Sequence, residues 1–143
     1  MTSNTSPFSI LIVEDELSLR SALRDKFIRE GFIVFDTKDG EAGLESALTE
    51  WPQLILLDIM MPKMDGITML AMLRSTNEWG RQVPVFLLTN LGDDNKTVMK
   101  EIAKDSRTHY LVKSNWSIDQ IVGKVRETIS RTTAPDADYS VLV

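Results

Sequence analysis

Apolar residues gather into five short runs along the 143-residue chain: Phe8 to Val13, Phe32 to Phe35, Leu54 to Leu57, Val83 to Leu88, and Tyr110 to Val112. Several are apolar at consecutive positions instead of alternating ones, the pattern of strands covered on both faces. Between the runs the spacing becomes helical. Leu19, Leu23 and Phe27 recur every four residues with Ala22 beside them, Leu44, Ala47, Leu48 and Trp51 form a second stripe, and Ile67, Leu70 and Ala71 begin a third. A fourth helix, around Asp94 to Lys104, has only the narrow stripe of Val98 and Ile102, so it is expected to be lightly held. The last stripe is the clearest: Ile118, Ile121, Val122, Val125 and Ile129 share one face, and Ser117 and Gln120 stand at capping-box spacing before it.

Strands that alternate strictly with helices imply parallel pairing, because each return needs a crossover. Right-handed crossovers then place helices on both faces of a doubly wound α/β sheet. The flavodoxin-like strand order 2-1-3-4-5 is one of two common solutions. One domain is expected over residues 8–131, with residues 1–7 and 132–143 as flexible tails.

Composition narrows the function. A net charge of −5 argues against direct nucleic-acid binding, which needs a basic face. Cysteine is absent, which removes disulfides and thiolate chemistry. No apolar stretch approaches the roughly 20 residues of a membrane span, and the polar start "MTSNTSPF" lacks the features of a signal peptide. No membrane association and a cytoplasmic location are the expectations.

The candidate chemistry sits where the strands end. In "LILLDIMMPKMDG", Leu54 to Gly66, an oily run is interrupted by Asp58, a carboxylate that would be costly to bury alone. In a doubly wound sheet, ligands collect outside the carboxyl ends of the strands. Those ends carry Glu14 and Asp15, Asp58, Thr89, and Lys113. Three neighbouring carboxylates repel unless a cation joins them, and oxygen donors without His or Cys suit Mg²⁺. Lys113 adds a further positive charge. Together a divalent cation and an ammonium oversupply one carboxylate and favour an incoming phosphoryl group, with Asp58 able to act as nucleophile.

Glu14-Asp15, Asp58 followed by "IMMPKMDG", Thr89 and Lys113 together resemble the receiver domain of two-component response regulators, over about Phe8 to Arg131. The resemblance implies the flavodoxin-like order and a regulatory domain instead of an enzyme, assisting only its own phosphorylation and dephosphorylation. It implies that Asp58 accepts phosphate from a sensor histidine kinase or phosphotransfer protein. Mg²⁺ would be held by Asp15, Asp58 and the main-chain carbonyl of Met60, with Glu14 helping through water. Thr89 and Lys113 would bind phosphoryl oxygens, and Tyr110 would be the switch aromatic that turns inward when Thr89 moves. Pro62 and Gly66 would shape the loop into the third helix. The face made by the fourth helix, fifth strand and last helix would then signal to a separate protein, to a second copy by dimerisation, or to a domain outside this chain.

Taken singly, the same residues have structural readings. Glu14-Asp15 and Asp65-Gly66 suit helix starts, Asp58 a turn, Thr89 a strand, and Lys113 a solvated surface. His109 reads as a strand-edge residue, the Met residues of "IMMPKM" with Met69 and Met72 as core filler, and Trp51, Trp79 and Trp116 as packing at element ends. Three positions depart from the family pattern. Glu14 replaces the commoner Asp, Asn90 replaces a small residue after Thr89, and Ser114 replaces the proline that follows the lysine. The last leaves two expectations: a strained cis peptide at Lys113-Ser114, or a rebuilt loop. Apolar Met60 and Leu91, with bulky Asn90, predict slow hydrolysis of an acyl phosphate. A phosphorylation-independent interaction module of the same fold is the alternative reading.

Overall fold

In the computed structural model, residues 7–90, 100, 102 and 104–132 are described. In order they form β1 (Ser9–Val13), α1 (Leu17–Arg29), β2 (Ile33–Thr37), α2 (Gly40–Glu50), β3 (Leu54–Asp58), α3 (Gly66–Thr76), the one-turn α4 (Glu78–Gln82), β4 (Val85–Thr89), β5 (Thr108–Val112), a 3-10 turn (Lys113–Asn115) and α5 (Ile118–Thr132). All neighbouring strands pair parallel, in the expected order β2-β1-β3-β4-β5. The expected fourth helix falls largely outside the described residues, as do Leu91 and most of both expected tails.

The continuous apolar runs are explained by the two cores they serve. Ile10, Ile12, Leu54, Leu56, Phe86 and Leu88 face Leu23 and Phe27 of α1 and Ile121, Val122 and Val125 of α5. The residues between them, Leu11, Val13, Ile55, Leu57, Val85 and Leu87, face Ala47 of α2 and Met69, Leu70 and Leu73 of α3. A strand alternates faces, so a sheet covered on both sides needs an apolar residue at every position. β1, β3 and β4 obey this most fully, and the edge strands β2 and β5 are only partly buried.

Caps fix the helix starts. The Ser117 hydroxyl accepts from the Gln120 N–H at 3.1 Å while Gln120 Oε1 accepts from the Ser117 N–H at 2.8 Å, the reciprocal box expected for α5. Asp39 and Asp65 cap α2 and α3 by accepting from the Ala42 and Thr68 N–H groups. Helix α4 is not anticipated by the apolar pattern. Asn77 caps it, and Val83 and Pro84 follow, so β4 starts at Val85 rather than Val83. Strand β2 runs on to Thr37 because Asp36 and Thr37 remain in register with Ile12 and Val13.

A half-buried arginine closes the amino-end side of the sheet. Arg74 of α3 donates Nε to Asp105 at 2.9 Å, Nη1 to the carbonyls of Gly80 and Val83 at 2.9 and 2.6 Å, and Nη2 to the Arg107 carbonyl and the Thr108 hydroxyl at 3.2 and 2.8 Å. One guanidinium thereby joins α3, α4 and the entry to β5.

Candidate functional site

The sheet register brings the expected residues to one rim. Val13 pairs with Leu57, Asp58 with Leu88, and Thr89 with Val112, so Glu14, Asp58, Thr89 and Lys113 all lie at or just past the carboxyl ends of adjacent strands. Carboxylate oxygens of Glu14, Asp15 and Asp58 lie within 4.8 Å of one another. Glu14 and Asp58 are buried, and Asp15 is exposed. Lys113 Nζ reaches between the two buried acids, 3.0 Å from Glu14 Oε1 and 3.2 Å from Asp58 Oδ1.

The lysine does not balance this cluster. Three carboxylates face one ammonium among the described residues, a net charge of −2 when all are ionised. Burial, reinforced by the Glu14 charge, pushes the Asp58 carboxyl up to about 7, although Lys113 pulls the other way. Burial also works to lower the Lys113 pKa, but hydrogen bonding and attraction to Glu14 and Asp58 outweigh it and raise that pKa. Glu14 Oε1 is buried, and the Lys113 ammonium at 3.0 Å is a partner it shares with Asp58. An all-oxygen donor set with surplus negative charge fits a hard divalent cation.

The backbone around the acids is tightly held. Glu14 donates its N–H to the Thr37 carbonyl at 3.1 Å, and its Oε2 accepts from the Glu16 N–H at 3.1 Å. Beyond Asp58 the chain makes a tight turn at Lys63, with φ 68° and the Met64 N–H donating to the Pro62 carbonyl at 2.8 Å. Helix α3 then starts so close to β3 that a Cβ at Gly66 would overlap the Asp58 carbonyl oxygen. Pro62 and Gly66 therefore border the loop as expected, and Met60 is carried on it, strongly exposed.

The remaining expected residues are also placed. Thr89 ends β4 and is half-buried, and Asn90 after it is exposed. Tyr110 lies in β5 opposite Leu87 with 46% of its surface exposed, so its ring is turned outward. Of the two expectations for Lys113-Ser114, the strained cis peptide is corrected: no cis bond occurs among the described residues. Lys113 to Asn115 instead wind into a 3-10 turn, and the lysine still reaches both acids. A short helical turn delivers the amine without a proline. His109 packs edge-on to Phe86 with ring centroids 5.1 Å apart, and Trp51 stacks on Trp79 at 5.3 Å, both packing roles.

Sequence reasoning does not single out Arg20 or Asp36. Arg20 Nη1 donates to the Glu14 carbonyl at 2.8 Å, and its Nε lies 3.3 Å from Asp36 Oδ2. Both partners are supplied by the tertiary fold, so no local spacing announces them.

Comparison with known proteins agrees with this geometry. A sequence profile described as the response regulator receiver domain matches residues 10–126. The chain belongs to that family. This receiver domain of two-component systems is 35% identical over 128 residues to the "Probable transcriptional regulator ycf27" of Cyanophora paradoxa, covering 88% of this chain and 50% of that protein. It is 33% identical over 132 residues to the "Alkaline phosphatase synthesis transcriptional regulatory protein PhoP" of Bacillus subtilis (strain 168), covering 90% of this chain and 52% of the relative. The receiver thus spans about half the length of these curated relatives. Among solved structures, the receiver domain of the Francisella response regulator 1452 superposes with a TM-score of 0.74 at 29% identity, covering 90% of this chain and all of that one. The chemotaxis response regulator CheY4 of Vibrio cholerae gives the same TM-score at 22% identity, covering 85% of this chain and 98% of that one, a likeness of fold. As a receiver the chain is a regulatory domain, and no helix among its described residues is long and apolar enough to cross a membrane.

Proposed function

We propose that Asp58 is the phosphoacceptor of this receiver, taking a phosphoryl group from the phosphohistidine of a sensor histidine kinase or phosphotransfer protein. The observation that carries the reading is the Lys113 ammonium lodged between two buried acids whose charge it does not balance. The ionised Asp58 carboxylate attacks phosphorus, the phosphorus–nitrogen bond breaks, and the departing imidazole keeps the electron pair and takes up a proton. The product is an acyl phosphate, which water later returns to carboxylate and inorganic phosphate.

Glu14, Asp15, Asp58 and the Met60 main-chain carbonyl would hold Mg²⁺, which supplies positive charge opposite the phosphoryl oxygens when bound. Lys113 exchanges its contact with Asp58 for one with a phosphoryl oxygen, and the Thr89 hydroxyl donates to another. Thr89 and Tyr110 lie on paired strands, one at the end of β4 and the other inside β5. Movement of Thr89 toward the phosphate opens room for the outward Tyr110 ring to turn in. The surface around β5 and α5 changes shape, and a partner that prefers the altered shape reads the signal. That partner is a separate protein, a second copy of the chain, or a domain outside this sequence.

Acetyl phosphate with Mg²⁺, followed by intact mass, tests this. Wild type is expected to gain one phosphoryl group, and Asp58→Asn none. A wild type that stays unmodified at saturating acetyl phosphate would leave the phosphorylation-independent interaction module as the better reading.

A further inference from the structure

Arg20 contacts the main chain of the acidic rim. It lies on α1 with its side chain largely buried, and it makes two contacts. Nη1 donates to the Glu14 main-chain carbonyl at 2.8 Å, and Nε lies 3.3 Å from Oδ2 of Asp36 on β2. Arg24 Nη1 approaches the same Asp36 oxygen at 3.8 Å and helps hold that carboxylate in place. Glu14 is therefore gripped at both ends of its backbone: its N–H by the Thr37 carbonyl, its C=O by Arg20. Asp36 and Thr37 are consecutive on β2, so the end of that edge strand anchors both grips.

The consequence falls on the next residue. The Glu14 carbonyl belongs to the planar peptide that leads into Asp15, so aiming the carbonyl sets the plane from which Asp15 departs. Asp15 is exposed, and its carboxylate lies within 4.8 Å of the Glu14 and Asp58 oxygens, so the peptide that carries it bears on the shape of the rim. Guanidinium suits this task because its rigid fork engages a carbonyl and a carboxylate together, whereas an ammonium is a compact point charge.

We propose that Arg20 is a positioning residue for the metal-binding rim: by holding the Glu14-Asp15 peptide against Asp36 it presets both carboxylates for a divalent cation. This rests on the reading that the rim binds Mg²⁺. It differs from a merely structural tie between α1 and β2, which would change stability and leave cation affinity alone.

The test is Mg²⁺ affinity by isothermal titration calorimetry on wild type, Arg20→Met, Arg20→Lys and Asp36→Asn, each at a temperature where circular dichroism shows it folded. Arg20→Met is expected to weaken Mg²⁺ binding by about tenfold or more, the scale seen when a group that orients metal ligands is removed. Arg20→Lys is expected to fall between it and wild type. Asp36→Asn keeps the bond to the Glu14 carbonyl and should lose less affinity than Arg20→Met. Arg20→Met within about twofold of a wild type that binds Mg²⁺ overturns this inference and leaves the proposed function standing. Wild type that does not bind Mg²⁺ overturns both. If Arg20→Met does not fold, Arg20→Lys decides: weaker binding supports the role, and unchanged binding removes it.

Discussion

Two clusters of charge sit in or near the core, and they are built to opposite rules. Around Arg74, five N–H donors meet five acceptors, with the Asp105 carboxylate and the Thr108 hydroxyl among them. At the rim, the three carboxylates of Glu14, Asp15 and Asp58 have one ammonium among them, Lys113, which is divided between the two buried acids. A buried charge is costly unless paired and hydrogen-bonded, so a fully matched cluster reads as architecture. A mismatched one persists only if the fold imposes it, and it then offers binding energy to whatever completes it. The difference locates function in this molecule better than burial or charge alone does.

The comparison breaks most sharply on phosphoryl uptake. Asp58→Asn is expected to reduce labelling by acetyl phosphate to background, while Arg74→Met, labelled below its own melting transition, should keep it. Loss of labelling in a folded Arg74→Met would erase the functional distinction between the clusters.

Stability should show the reverse ranking. Removing the Arg74 guanidinium takes a donor from three carbonyls and the counter-charge from Asp105, and is expected to cost about 3 kcal/mol in urea unfolding. Removing the Asp58 charge should instead stabilise the metal-free protein, by about 1–3 kcal/mol above pH 7. The sign follows from the raised pKa. Native Asp58 holds its proton up to about 7 while the unfolded chain releases it near 3.8, so the folded state binds more protons in between. Wild type should therefore lose stability as pH rises across that window and level off above it. Asp58→Asn should lack this component, and urea midpoints from pH 4 to pH 8 would show it. A smaller effect is expected at Met60, which lies exposed two residues beyond Asp58. Met60→Asn should leave stability unchanged and speed loss of the phosphoryl group several-fold, measured by mass after acetyl phosphate is removed.

The contrast between the clusters also explains what the sequence could reveal. The five strands were legible because a sheet covered on both faces leaves an unbroken apolar run, and the rim was legible because each run stops at a charged or hydroxyl residue. Helix α5 announced itself through a stripe and a capping box that the structure reproduces atom by atom. Helix α4 was hidden because one turn has no stripe. The Arg74 cluster and the Arg20-Asp36 pair were hidden for another reason: their acceptors are mostly main-chain carbonyls or side chains brought near only by tertiary folding. Ser114 was misleading in one of its two readings, since it removed the proline without displacing the lysine.

The central claim is that the rim carries more negative charge than its lysine can balance. Carbon-13 NMR of the Asp58 side-chain carboxyl, titrated without and then with saturating Mg²⁺, tests it most directly. The account predicts a midpoint near 7 without the metal and a fall of more than a unit when Mg²⁺ is present. A midpoint near 4 without the metal, unmoved by Mg²⁺, would contradict it.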